Sequence, residues 1–91
     1  MNEKILVSIT VPELDQTFDV FLPCNKCIGN IIGLLNKSLV DLSNGAFTSS
    51  DKNFLYNKTT GERYDINMPL NKTSIKTGTR LILFWNLWEE K

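Results

Sequence analysis

The chain has 91 residues, 42% of them hydrophobic and 22% charged, and its ten Lys and Arg balance ten Asp and Glu. That is the size of one small domain with a modest core, and because no stretch concentrates one sign of charge, neither nucleic acid nor an anionic membrane surface is an expected partner. Histidine is absent, which removes Ser-His-Asp and Cys-His nucleophile activation, imidazole acid-base chemistry and most zinc sites.

Ile5, Val7, Ile9 and Val11 alternate with Leu6, Ser8 and Thr10, the period of two of a strand with one buried face. The alternation fits a strand better than a signal peptide, so the chain is expected in the cytoplasm. After a short polar connection, Pro12 to Gln16, a second alternation sets Phe18, Val20 and Leu22 against Asp19 and Phe21, which predicts a hairpin. Pro23 ends that strand because it lacks an amide proton, and Asn25 is the expected cap of the helix that follows. Ile28, Ile31, Ile32, Leu35 and Leu39 form one helical stripe, the side that packs on the sheet. Gly29 and Gly33 lie off the stripe, where each costs up to about 1 kcal/mol of helix propensity unless another backbone approaches closely. Residues 41–52 have the composition of a polar, mobile loop carrying one aromatic, Phe47.

Phe54 to Tyr56 reads as a third strand, Asn57 to Glu62 as a turn, and a brief segment follows around Tyr64. Met68-Pro69-Leu70 interrupts regular structure. The last strand runs from Arg80 to Trp85, with Leu81 and Leu83 facing one way and Ile82 and Phe84 the other. Leu81 to Trp85 is also the longest apolar run, far short of the roughly 20 residues that cross a bilayer. A hairpin, one amphipathic helix and further short strands make an α+β plan in which the helix covers one sheet face.

The order of these elements resembles a β-grasp, ubiquitin-like domain over residues 4–85, with 86–91 as an aromatic C-terminal tail of a single domain spanning 1–91. Leu70, Ile75, the turn at Gly78 and the strand from Arg80 to Leu83 carry most of the likeness. Phe18-Asp19-Val20-Phe21-Leu22-Pro23, followed by Ile28, Ile31-Ile32, Leu35 and Leu39-Val40-Asp41-Leu42, is similar to the YukD and EsaB type proteins of type VII (ESX) secretion systems in Gram-positive bacteria. The resemblance implies a four- to five-stranded mixed sheet and a cytoplasmic, non-enzymatic interaction module with no catalytic residues or cofactor. It also implies a protein partner such as a membrane-associated secretion ATPase or another subunit of the machine. Conjugation to targets is not expected, since the chain ends Phe84-Trp85-Asn86-Leu87-Trp88-Glu89-Glu90-Lys91 where a modifier would end in Gly-Gly.

Two features ask for a function. Ile82 and Phe84, joined by alternation by one of Phe54, Leu55 or Tyr56, would form an apolar patch on the open sheet face. Leu55, Ile82, Phe84, Trp85 and Trp88 are the expected protein-binding residues, since a contiguous apolar patch on a small domain commonly serves a partner. The competing reading has the tail folding back over that patch, or a second copy of the chain covering it as a homodimer. Cys24-Asn25-Lys26-Cys27 at the mouth of the helix is the other feature, and it supports the alternative of a small thiol redox protein. Against that stand the hairpin in place of a βαβ context, and two ligands where structural zinc wants four. Cys24 and Cys27 are therefore read as a cap-region residue and a half-buried small hydrophobe.

Overall fold

The computed structural model describes residues 3–45, 47 and 53–84. Strand β1, Lys4–Val11, and strand β2, Gln16–Pro23, pair antiparallel with Ile9 opposite Phe18. The turn between them is closed by the Leu14 and Asp15 amides donating to the Val11 and Pro12 carbonyls, with Asp15 at φ 53°, a conformation that short polar side chains tolerate best after glycine. Pro23 is the last residue of β2, in accord with its inability to donate to a ladder.

Helix α1, Ile28–Leu42, lays Ile28, Ile31, Ile32, Leu35 and Leu39 on the sheet, all of them buried. It ends at Leu42, two residues inside the stretch whose composition indicates a loop, with Val40 in its last turn still packed on the core. The cap is Cys27 and not Asn25, and no side chain fills the role. The first free amides of the helix are satisfied instead by main chain: Ile28 and Gly29 donate to the Met68 and Ile66 carbonyls, each at 2.9 Å. Gly29 is what lets that segment approach, since a Cβ there would lie 3.2 Å from the Ile66 oxygen, whereas a Cβ at Gly33 would meet nothing within 4 Å.

Strand β3 is Phe54–Asn57, a single-turn 3-10 helix spans Leu70–Lys72, and strand β4 is Arg80–Phe84. The sheet has four strands in the order β2-β1-β4-β3, with β1 and β4 parallel at its centre and both outer pairs antiparallel. A turn with Gly78 at φ 92° delivers the chain into β4, its amide donating to the Leu6 carbonyl and the Ser8 amide to that of Thr79. Val7, Ile9, Val11 and Leu22 from the hairpin meet the helix stripe together with Leu55, Leu70, Ile75, Leu81 and Leu83. Each such side chain contributes about 1.5–3 kcal/mol when fully removed from water.

Two buried polar links stitch this core. Asn53 Nδ2 donates to Asn36 Oδ1 at 2.9 Å, tying the start of β3 to the middle of α1. The buried Tyr64 receives a hydrogen bond from Asn57 Nδ2 at 3.0 Å and shares another with Ser74 Oγ at 3.1 Å. Phe47, assigned from sequence to a mobile loop, is buried in the core, its amide donating to Ser43 Oγ at 2.8 Å. Its neighbours 46 and 48–52 lie outside the described residues.

Candidate functional site

Alternation divides the sheet into an inner face under α1 and an outer face. On the outer face β1 carries Leu6, Ser8 and Thr10, and β2 carries Thr17, Asp19 and Phe21. Ile82 lies opposite Tyr56, and Phe84 opposite Phe54, from β4 and β3. Four rows therefore cross the outer face. Phe54 and Phe84 form an aromatic row, then Tyr56 and Ile82 line up with Thr10 and Thr17. Next come Arg80, Ser8 and Asp19, and at the far corner Leu6 lies beside Phe21.

Leu55 does not belong to this face. Its register partner is Leu83 and it is 0% exposed. Three successive apolar residues, Phe54, Leu55 and Tyr56, leave the parity of β3 undecided by composition, and pairing with β4 fixes it: Leu55 points under the helix, while Phe54 and Tyr56 take the outer positions. Ile82 and Phe84 lie on the outer face and are half-buried. Tyr56 is 0% exposed although its register is outward and it stands apart from the core cluster. Trp85 and Trp88 lie outside the described residues.

Two loop cations border this face. The Arg63 guanidinium lies 4.5 Å from the Phe54 ring centroid, a cation-π contact worth about 0.5–1 kcal/mol at an exposed position. Lys58 Nζ donates to Thr10 Oγ1 at 3.2 Å, and Thr10 and Thr17 share a hydroxyl hydrogen bond at 3.0 Å. The aromatic corner is thus framed by cations.

The Cys24 and Cys27 thiols are free and half-buried, with Cys24 packed against the core. Their main chain is tied into the fold: the Cys24 amide donates to Glu3, its carbonyl accepts from Asn71, and the Cys27 carbonyl accepts from Ile31. The helix-terminal amides of Ile28 and Gly29, which a reactive thiolate would draw on, are held by carbonyl oxygens.

Among the described residues, the most exposed large apolar side chains are elsewhere and were not assigned a role from the sequence. Phe21 is 65% exposed, Leu34 53% and Leu42 67%. Leu34 falls outside the helix stripe and Phe21 on the polar parity of β2, and these departures from pattern were the available signal; Leu42 continues the stripe by spacing and is exposed as the last residue of α1.

No protein-family model matches the chain, and no curated protein matches it. Solved structures do. The chain is similar to a chain of the MycP5-free ESX-5 inner membrane complex, with a TM-score of 0.74 and 17% identity over 97% of this chain. It spans only 22% of that longer chain. The EccD5 ubiquitin-like domain from Mycobacterium xenopi matches with a TM-score of 0.73 and 20% identity, over 98% of this chain and 99% of its own. The ubiquitin-like domain of the Mycobacterium tuberculosis type VII secretion protein EccD1 matches at 0.68 and 12%, over 90% and 98%. The fold is accordingly a ubiquitin-like β-grasp. Among the described residues, no helix is long and apolar enough to cross a membrane.

Proposed function

We propose that this chain is a non-enzymatic protein-interaction module of a type VII secretion system, cytoplasmic, of the YukD and EsaB type and from a Gram-positive bacterium. It works by docking onto a membrane-associated ATPase or another subunit of the machine, without conjugation to targets. The observation that carries this reading is the match of nearly the whole chain to ubiquitin-like domains of EccD proteins, one of which covers 99% of its own length. The docking surface is the aromatic corner of the outer face, Ile82 and Phe84 with Phe54 in the place first given to Leu55; Trp85 and Trp88, outside the described residues, remain candidates from the sequence. Half-burial of Ile82 and Phe84, with Arg63 and Lys58 at the rim, matches the apolar centre and polar border of protein interfaces.

Affinity purification of the tagged protein from its own cells under reducing conditions tests this directly. Recovery of a secretion ATPase or membrane subunit, lost on Phe84→Asp while circular dichroism shows the fold retained, is the expected result. Capture unaffected by Ile82→Asp and Phe84→Asp would remove the outer face from the reading. Recovery of mixed disulfides alone, when reductant is omitted, would return the case to Cys24 and Cys27.

A further inference from the structure

The β2 strand is an edge of the sheet, and nothing among the described residues pairs with its outer side. Which of its main-chain groups face outward follows from the ladder. The Cys24 amide donates to Glu3, so Glu3 and Cys24 are a hydrogen-bonded pair, and hydrogen-bonded pairs recur at every second position. Leu22, Val20, Phe18 and Gln16 therefore bond to β1, while the amides and carbonyls of Thr17, Asp19 and Phe21 point away from the sheet. The other edge is treated differently: on β3 the Leu55 carbonyl accepts from Tyr64 and the Asn57 amide donates to Glu62.

Beside the bare edge runs an apolar groove between β2 and α1, with Val20, Phe21, Leu34, Leu35 and Leu42 among its walls. Edge strands are usually shielded by charge, proline or a covering segment; this one has Pro23 at its end and a single carboxylate, Asp19, along its length. At the end of the groove where β2 begins and α1 finishes, Asp15, Asp19 and Asp41 are all exposed, and Lys37 is the one cation on the adjoining stretch of helix. Lys4 and Lys26 lie at the opposite end, beside Pro23 and the helix start, with exposed Glu3 as the carboxylate next to them, opposite Cys24. The field along the groove thus runs from acidic to basic.

We propose that the β2 edge and the α1 flank receive an extended peptide segment of a protein partner, added as a fifth strand. That segment has apolar side chains at alternate positions and basic residues at the end lying beside Asp15, Asp19 and Asp41. Main-chain bonds to Thr17, Asp19 and Phe21 hold the segment, every second side chain packs against Val20, Leu34 and Leu42, and the carboxylates set its charge. This surface lies across the sheet from the aromatic corner, and the inference does not depend on the secretion reading.

The test uses the isotope-labelled full chain and three acetylated, amidated octapeptides followed by amide NMR. The first reads Lys-Lys-Val-Thr-Val-Thr-Val-Thr; the second has Glu-Glu in place of Lys-Lys; the third is the first with alternate amides N-methylated. The first is expected to move and protect the Thr17, Asp19 and Phe21 amides, to bind at least fivefold more tightly than the second, and to lose binding on N-methylation. Asp41→Lys, at an exposed helix position, is expected to narrow or reverse the preference between the first two. Equal binding of all three peptides, or shifts confined to residues around Ile82, would overturn the proposal. So would β2 shifts that follow protein concentration without peptide, which would make a second copy the occupant. Protection of the same three amides in dilute, peptide-free protein would make a segment of this chain the occupant and would equally overturn it.

Discussion

The two edges of this sheet solve the same problem in opposite ways. At β3 the chain turns back on itself, and the stretch through Glu62 and Tyr64 takes up the outward hydrogen bonds of Asn57 and Leu55. Asn53 and Tyr64 then lock that side to α1 and to Ser74. At β2 the outward groups of Thr17, Asp19 and Phe21 have no such cover among the described residues, and the adjoining helix flank exposes Leu34 and Leu42. One edge is closed by the protein's own main chain, and the other is left as a template. A short sheet with both edges bare would invite uncontrolled association; with one closed, any added strand has one place to go.

The contrast is sharpest in hydrogen exchange. The Asn57 and Tyr64 amides are expected to exchange orders of magnitude more slowly than those of Thr17, Asp19 and Phe21, because the former open only with the surrounding structure. Comparable rates at the two edges would erase the distinction. Leu55→Ala is expected to cost about 2–5 kcal/mol in urea unfolding, as deletion of a fully buried leucine should, and a loss under 1 kcal/mol would return Leu55 to the surface. Asn36→Ala leaves Asn53 Nδ2 buried without its acceptor and is expected to cost about 1–3 kcal/mol. Gly33→Ala should add about 0.5–1 kcal/mol from helix propensity in open space, whereas Gly29→Ala should forfeit that gain against the Ile66 carbonyl. Thermal midpoints of the two glycine variants moving together would contradict the close approach. Smallest of all, Leu42→Ser should change stability by no more than about 0.5 kcal/mol, while weakening capture of the Lys-Lys peptide.

Much of the architecture was legible because it rests on local periodicity. The five-residue helix stripe and the parity of Leu81 and Leu83 reappear in the buried positions, and the hairpin alternation reappears as buried Val7, Ile9, Val11 and Leu22 with partly buried Ile5, Phe18 and Val20. Non-local matters were not legible. Leu55 and its neighbours are all apolar, so only the pairing with Leu83 could tell which of them faces the helix. Asn25 has the right chemistry for a cap, yet the 66–68 segment, distant in sequence, supplies carbonyl acceptors to the helix amides and makes a side-chain cap unnecessary. Phe47 sits amid polar residues and is nevertheless a core residue, since burial of one aromatic outweighs the composition around it. The bare β2 edge depends on strand order, which composition does not encode. Of the candidate site, Ile82 and Phe84 were readable from alternation, while Phe54, Arg63 and Lys58 needed the register.

The parallel pairing of β1 with β4 has a consequence for how the protein is made. Ser8 lies beside Arg80 and Thr10 beside Ile82, so the central seam joins residues more than seventy positions apart. At ordinary synthesis rates β1 waits roughly 4–15 s for β4 to leave the ribosome. Until then the hairpin and α1 have no strand to close the middle of the core, and Ile9 has only one of its two flanking strands. Loop closure of this length slows folding, and the nascent chain passes through a stage in which the faces later shared by β1 and β4 are open together with the edge of β2. That window is when the protein is most exposed to mispairing and to capture by chaperones.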